Sequence, residues 1–474
     1  MMNVKQIVRG YIFQVIGKFW YKPVAFVSDN RREVNAKLSS HALRSWFGDD
    51  LEVVYLVPES LALKVNSSDV ESLIKDESRL KREFRSRIRE LVSEPVAEEN
   101  IIVIPSIGEY AERGYRIFFD NSVENSFAYL SMELARLTDD GENFEEPVVI
   151  YADVTTGHNI YTNTLVEALR TLIASRKLRW IAQGKLIPSK GEPIKAHLVS
   201  IPPITEDTAR CKIDIQEYDV KAFFDFPVKN DFNLGQLIKS PPQGYDKRQF
   251  LERLARMYSR ELKEISELLR EARIAFNAIA YNTPLAFLNR EIIRIHELNP
   301  RDAINHVWKI MAGMREMRVI KRDGDALSVA YPKINGRLIV NLLLAFNMLW
   351  SLQKLRIDLE RVMEWGSWAN LRSIERFFSE VYRKVGRELN GRFLRREVED
   401  IETKAFEKLK NNEQKLLKEI FEVRGSADLP RNFFAHSGFL KDYTLALRRD
   451  GEIYLKYKSE YLKTIRRWLE RPER

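Results

Sequence analysis

The sequence predicts an α/β domain followed by an all-α domain. Three runs of apolar, β-branched residues, at 51–56, 101–105 and 148–154, are separated by stretches with helical periodicity. Strands that alternate with helices are typical of a largely parallel, Rossmann-like sheet. From Lys247 onwards the periodicity is almost entirely helical, which predicts a second, helical architecture.

Each element of the N-terminal part follows from its local pattern. Runs of β-branched and aromatic residues are typical of strands, and an apolar residue every three or four positions predicts a helix. Besides the three runs above, strands are predicted at 8–17, 23–27, 116–119 and 197–201, and helices at 39–46, 70–92, 126–137 and 160–174.

A connector separates the two architectures, so we expect three units, at 1–203, 204–330 and 331–474. Its prolines cluster at 202–203 and 241–242, a pattern that breaks regular structure. Two short helices followed by a hairpin make the end of the connector a candidate winged helix-turn-helix. Helices are predicted at 247–281, 285–296, 301–314, 337–355, 368–388 and 393–423, strand-like alternation at 211–226, and hairpins at 317–331 and 443–457.

Composition narrows the class of protein. A chain of 474 residues, 45% of them apolar, can form about two or three cored domains. One cysteine excludes a disulfide framework, and six scattered histidines show no metal-binding spacing. The longest apolar run, 338–350, is too short to span a bilayer, and no signal peptide is recognised. We therefore expect a cytoplasmic protein without a membrane partner, and a formal charge of +9 permits an anionic one.

The turn after the strand run 148–154 suits an anionic ligand. Ligands of parallel sheets bind beyond the carboxyl ends of the strands, and the N-terminus of the helix that follows favours negative charge. The turn lacks the G-x-G-x-x-G fingerprint of dinucleotide sites, and it also fits an ordinary capped helix start. The candidate ligand-binding residues are Thr155, Thr156, Gly157, His158 and Asn159 in the turn, and Gly17 and Lys18 after the first strand.

A second segment of interest is RNFFAH at 431–436, which reads as the start of a short helix. Pro430 suits the first turn of a helix, and Ser426 or Asp428 can cap it. Gly438 can end it.

This helix brings together a strong cation, an amide and an imidazole. Asn432 and His436 are four positions apart and share a helix face, with Arg431 beside it. An imidazole exchanges protons near neutral pH, and a guanidinium holds a phosphate in its donor fork. These residue types suit cleavage of a phosphodiester without a metal. They also fit a plain helix start with one satisfied histidine.

The segment 301–306 (RDAINH) competes with this one, because it has the same R-x4-H spacing and also follows a proline. We favour Arg431 and His436 over Arg301 and His306. Ala435 beside the histidine permits close approach of a partner helix, and the later segment lies near the end of the helical region.

The segments DVTTGHN at 153–159 and RNFFAH at 431–436 together resemble the CARF–HEPN ribonucleases of type III CRISPR systems. CARF is a sensor domain for cyclic oligoadenylates, and HEPN is a helical nuclease domain with an R-x4-6-H motif. The resemblance implies a CARF domain at 1–203 and a HEPN domain at 331–474, and it is least clear at 204–330.

By this resemblance, the protein is an endoribonuclease that cleaves single-stranded RNA when cyclic oligoadenylate, most of all cyclic tetra-adenylate, binds its CARF domain. The resemblance implies a homodimer or higher homo-oligomer in which two motifs form one cleavage site. The RNA 2′-OH attacks the adjacent phosphorus without a metal or other cofactor. His436 acts as general base or acid, Arg431 neutralises charge on the phosphate, and Asn432 orients the imidazole or the phosphate.

Two other functions stay open at this stage. The first is a CARF-containing transcriptional regulator that binds nucleic acid through the candidate winged helix-turn-helix and leaves Arg431 and His436 idle. The second is a small-molecule enzyme that uses the Rossmann-like crevice. The absence of a nicotinamide or flavin fingerprint disfavours the second.

Overall fold

The computed structural model describes residues 9–65, 70–112, 114–138, 147–155, 157–180, 194–220, 232–295, 299–362, 368–384, 387–423 and 428–472. Parts of six sequence predictions lie outside the described residues: Val8, Thr156, the stretch 221–226, His296, the pair 385–386 and the candidate cap Ser426. Within the described part of the chain, no helix is both long enough and apolar enough to cross a membrane.

Strands and helices alternate from Arg9 to Glu217, which confirms the predicted α/β architecture. The predicted helix at 70–92 is divided in two at Asp76, whose side chain caps the second helix by accepting from the Arg79 N–H. The elements are β1 Arg9–Val15, β2 Val24–Val27, β3 Glu33–Ala36, α1 Ser39–Phe47, β4 Leu51–Pro58, α2 Ala62–Val65, α3 Val70–Lys75, α4 Glu77–Val92, β5 Ile101–Ile104, β6 Gly108–Glu112, β7 Tyr115–Asp120, α5 Val123–Leu137, β8 Val148–Asp153, α6 Asn159–Trp180, β9 Ile194–Ser200, β10 Arg210–Lys212 and β11 Asp214–Glu217.

Six of these strands form one sheet in the order β11-β9-β8-β1-β4-β5. All neighbours are parallel except β11, which pairs antiparallel with β9 at the edge. The chain moves from β1 outward through β4 to β5 and then returns to β8 on the other side of β1. The strand order therefore reverses between β1 and β8, and a ligand crevice is expected outside the carboxyl ends of these two strands.

Alternating side chains of β1 point to the two faces of the sheet and join different cores. Ile12, together with Ile16 just after the strand, belongs to a core that also contains buried residues of α1 and α4. Tyr11 and Phe13 belong to a second core, shared with α5 and α6. The sheet is thus covered by helices on both faces, which is why its central strands are apolar on both sides.

The central region is helical but more interrupted than predicted. The helix predicted at 247–281 is two helices that meet at Tyr258. The helix predicted at 285–296 ends at Leu288, because Asn289 is extended and its side chain accepts from the N–H groups of Glu291 and Ile292. The elements are α7 Leu234–Leu237, β12 Ile238–Ser240, α8 Lys247–Met257, α9 Ser259–Ala280, α10 Pro284–Leu288, α11 Pro300–Glu316, β13 Val319–Asp323, β14 Ala326–Ala330 and β15 Lys333–Ile334.

The β13–β14 hairpin exists as predicted, but it is not a free wing. β14 pairs in parallel with β7, and the sheet order is β13-β14-β7-β6. Leu327 and Val329 of β14 are buried in a core of the N-terminal part, and the Tyr331 hydroxyl donates to the buried Glu59 carboxylate at 2.6 Å. The hairpin of the candidate winged helix-turn-helix is therefore packed through β14, whose alternating apolar residues are covered by the N-terminal part.

The C-terminal region is mainly helical, which confirms the predicted fold class. The helix predicted at 393–423 ends at Lys408, because Leu409 is extended; Asn412, with a φ of +65°, and a short strand follow. Four strands form the sheet β16-β19-β18-β17, which includes the predicted hairpin at 443–457. The elements are α12 Gly336–Val362, β16 Ala369–Asn370, α13 Leu371–Lys384, α14 Glu388–Lys408, β17 Gln414–Leu416, α15 Leu417–Ile420, α16 Leu429–Ala435, β18 Thr444–Arg449, β19 Glu452–Tyr457 and α17 Leu462–Glu470.

One apolar core joins the regions, with buried residues from Ala128 in α5 to Leu469 in α17. α12 crosses this core and packs against α5, α6, α9 and α11. Asn347 in α12 is buried; its side chain donates to Ser175 at 2.6 Å and accepts from Arg179, both in α6. The N-terminal sheet and the C-terminal helices are thus fixed to each other through α6 and α12.

Candidate functional site

The two candidate ligand-binding loops meet at the carboxyl ends of β1 and β8. A Cβ atom added to Gly17 would lie 2.9 Å from the Gly157 Cα. Gly157 itself has a φ of +93°, and a Cβ there would lie 2.5 Å from the Val15 side chain. The structure thus brings the two predicted segments together. It also shows that the glycine is required by the packing of the chain itself, and not only by the approach of a ligand.

A buried polar network lies beneath the turn. Asp153, at the end of β8, accepts through Oδ1 from the Thr155 N–H at 2.8 Å and through Oδ2 from Gln14 Nε2 at 3.1 Å. The Ser39 hydroxyl donates to the same Oδ2, and the Thr155 hydroxyl accepts from the Ile201 N–H at 2.8 Å. Most of the hydrogen-bonding groups that shape this turn therefore serve to fix its position.

A cavity of about 530 Å³ opens beside this turn. Three of its lining side chains are lysines, and one is an exposed tryptophan. Lysines around an open cavity attract a polyanion, and an exposed indole ring offers a face on which a base can stack. The lining residues that matter for such a ligand are Lys18, Lys22, Lys37, Trp20, Ser39 and Thr155.

Of the predicted ligand-binding residues that the structure describes, two line the cavity, namely Lys18 and Thr155. Gly157, His158 and Asn159 are exposed at its side, where the His158 carbonyl accepts the first hydrogen bond of α6 from the Tyr161 N–H at 2.9 Å. Trp20, Lys22 and Lys37 were not predicted from the sequence. In KFWYK, at 18–22, two lysines flank three aromatic residues, and this pattern was a signal for the first two.

The RNFFAH segment forms α16 and ends as the sequence predicts. The Asp428 side chain accepts from the Arg431 N–H at 3.2 Å and caps the helix. The helix ends at Ala435, His436 follows as the C-terminal cap, and Gly438 has a φ of +76°. The predicted cap and the predicted stop are thus both present.

The turn behind His436 is tightly held. Asn282, just after α9, donates to the Ser437 hydroxyl at 2.7 Å, and the Tyr457 hydroxyl donates to the Gly438 carbonyl at 2.8 Å. Phe433 is fully buried in the core. These contacts fix the backbone that carries the histidine.

The candidate catalytic side chains of α16 and its C-terminal cap differ in their exposure to solvent. Arg431 is exposed, Asn432 is half-buried, and the His436 side chain is 40% exposed. His436 Nδ1 lies 3.2 Å from Glu397 Oε1 in α14. The hydrogen bond that Glu397 accepts from the protonated ring raises the pKa of His436, although burial and Lys441 act against the increase. Glu397 was not predicted from the sequence, because nothing distinguishes it there from the many other glutamates of the helical region.

The competing segment, at the start of α11, is engaged differently. His306 Nε2 lies 2.5 Å from Glu264 Oε2 in α9, and the His306 side chain is only 18% exposed. Glu264 also accepts from Arg260 at 2.8 Å. His306 therefore takes part in the packing of α9 against α11. Within the described residues, neither histidine belongs to a group of side chains that could hold a metal ion.

Two family models match the chain. Residues 11–191 match the model described as the CARF domain of the CRISPR system endoribonuclease Csx1. Residues 387–459 match the model of the HEPN domain of the same endoribonuclease. The first match includes the turn 155–159, and the second includes 431–436, whereas 301–306 lies in neither. No curated protein matches the sequence significantly.

We predict that Gly157→Ala lowers the free energy of unfolding by about 1–3 kcal/mol, because it combines an unfavourable φ with a clash against Val15. Chemical denaturation in the absence of any ligand measures this change. Gly108→Ala is the control, since Gly108 has a φ of +92° and no described atom within 4 Å of the added Cβ. A loss as large in Gly108→Ala would show that contact with Val15 adds no cost.

Proposed function

Because the chain belongs to the CARF–HEPN endoribonucleases of CRISPR systems, we propose that it cleaves single-stranded RNA after cyclic oligoadenylate binds its N-terminal domain. The observation that carries the proposal is that α16 and its C-terminal cap, which present the exposed Arg431, the half-buried Asn432 and the partly exposed His436, lie within the HEPN match. The same chain presents a lysine-lined cavity at the switch point of a sheet within the CARF match.

The cleavage proposed is attack of the RNA 2′-OH on the adjacent phosphorus, which leaves a 2′,3′-cyclic phosphate and a 5′-OH. This reaction needs proton transfer and charge neutralisation but no metal. The His436 imidazole supplies proton transfer, which contributes roughly 10²–10⁴ in rate. Arg431, whose exposed guanidinium can reach a phosphate, neutralises charge on the non-bridging oxygens, and Asn432 orients the imidazole or the phosphate.

The proposed activator is a cyclic oligoadenylate, with cyclic tetra-adenylate as the first candidate. Lys18, Lys22 and Lys37 offer positive charge for its phosphates, and Trp20 offers an aromatic face for a base. A symmetric ring can contact two copies of the cavity equally across a two-fold axis. We therefore propose a homodimer in which one ring bridges two CARF domains and two copies of α16 form one cleavage site.

The alternative role is that of a nucleic-acid-binding regulator without nuclease activity. In its candidate winged helix-turn-helix, β14 is paired with β7 and packs against the N-terminal part, while β13 is the exposed edge strand. The match of residues 387–459 to a HEPN domain favours the nuclease over this role.

We predict that His436→Ala lowers RNA cleavage by roughly 10²-fold or more, because it removes the proton-transfer group. His306→Ala is the matched control and should retain activity, since His306 serves in packing. Cleavage should persist in EDTA, and RNA with a 2′-deoxy substitution at the scissile nucleotide should resist. Labelled RNA with defined cyclic oligoadenylates gives the readout. The opposite pattern in the two variants would assign the site to Arg301 and His306.

We predict that Lys18→Ala weakens the binding of cyclic tetra-adenylate about tenfold or more, because one charge-assisted contact is worth roughly 1.5–3 kcal/mol. Calorimetry measures the affinity directly. Lys195→Ala is the control, since Lys195 is exposed on β9 outside the cavity. Equal affinity in the wild type and Lys18→Ala would place the ligand elsewhere.

A further inference from the structure

The His436 ring has one hydrogen-bond partner among the described residues, and that partner is Glu397. The contact joins His436 Nδ1 to Glu397 Oε1 at 3.2 Å. A flipped ring would place a carbon atom against the carboxylate, so the contact determines which nitrogen faces Glu397. Nε2 lies on the other side of the ring, and no described residue hydrogen-bonds to it. One nitrogen is thus held by the protein, and the other is available to a substrate.

Both sides of this contact belong to rigid parts of the structure. On α14, Leu394 and Val398 flank Glu397 and are fully buried. On the other side, Asn282 and Tyr457 hold the turn behind His436. The carboxylate and the imidazole are therefore fixed by separate elements that meet at this point, which differs from a chance contact between flexible surface side chains.

We propose that Glu397 is a positioning residue for RNA cleavage, which holds His436 by Nδ1 so that Nε2 carries a proton to the departing 5′-oxygen. This inference rests on the proposed function. It deepens that proposal by naming a residue outside the R-x4-H segment and by assigning the acid role, which the sequence left open between acid and base.

The proposed step balances in bonds and protons. The 2′-oxygen forms a bond to phosphorus, and the bond from phosphorus to the 5′-oxygen breaks. The Nε2 proton of His436 moves to the 5′-oxygen, and the 2′-OH proton leaves to water. Exchange with water then restores the proton on Nε2.

The charges around His436 agree with an acid role. Glu397 from α14 raises the pKa of His436, and Lys441, beyond the turn, acts in the opposite direction. A histidine whose pKa lies above its ordinary value stays protonated to a higher pH. It can then donate a proton near neutral pH. Removing the charge of Glu397 should return the pKa towards its ordinary value, so the proton is lost at a lower pH.

The test compares Glu397→Gln and Glu397→Asp with the wild type. Glutamine keeps the shape and an acceptor oxygen but loses the charge, whereas aspartate keeps the charge on a shorter side chain. We expect Glu397→Gln to lower kcat roughly tenfold or more with KM nearly unchanged, and to move the alkaline limb of the kcat profile to lower pH. Glu397→Asp should recover part of the rate and the position of the limb. NMR titration of His436 gives a readout that is independent of activity.

Glu264→Gln is the matched control, because it removes the carboxylate from the other histidine–glutamate contact, at His306. It should leave kcat and the pH profile unchanged. Wild-type kcat and an unchanged alkaline limb in folded Glu397→Gln would overturn the inference. If Glu397→Gln does not fold, NMR titration of His436 in the wild type decides: a pKa above the ordinary value of a histidine supports the inference, and an ordinary or lower pKa overturns it. Failure of the proposed function itself is distinct, because His436→Ala would then cleave as the wild type does.

Discussion

The buried hydrogen bonds of Asn347 are the contact that fixes the N-terminal sheet and the C-terminal helices relative to each other. Asn347 lies in the middle of α12, and its side chain binds Ser175 and Arg179 at the far end of α6. Ser351, one turn further along α12, donates to the Arg179 carbonyl at 3.1 Å. A buried amide with partners on both its donor and its acceptor side permits only one register of the two helices.

This register connects the proposed sensor to the proposed nuclease. α6 begins at the turn beside the lysine-lined cavity and ends against α12, and its 22 residues span about 33 Å. α12 packs against α9, and Asn282, just beyond α9, holds Ser437 in the turn after His436. A change at the ligand turn can thus reach the histidine through helices packed in direct contact. Such a path transmits a signal only if the ligand binds two arrangements with different affinity.

The features that depend on neighbouring residues could be predicted from the sequence, whereas contacts between residues distant in sequence could not. The cap at Asp428, the stop at Gly438 and the meeting of Gly17 with Gly157 follow from neighbouring residues and from the direction of parallel strands. The pairing of β14 with β7 could not be predicted, because no local pattern names the partner of a strand more than two hundred positions away. Glu397 could not be predicted for the same reason: it lies 39 positions from His436, among glutamates that cannot be told apart in the sequence.

The central claim is that the two sites are thermodynamically coupled, and one titration tests it most directly. Calorimetry would measure the affinity of the wild-type protein for cyclic tetra-adenylate, alone and saturated with a 2′-O-methyl RNA that cannot be cleaved. Because coupling is reciprocal, an RNA that favours the active arrangement must tighten ligand binding by the factor with which the ligand tightens RNA binding. We predict tighter binding in the presence of the RNA. Equal affinity, with both sites shown to be occupied, would contradict the coupling.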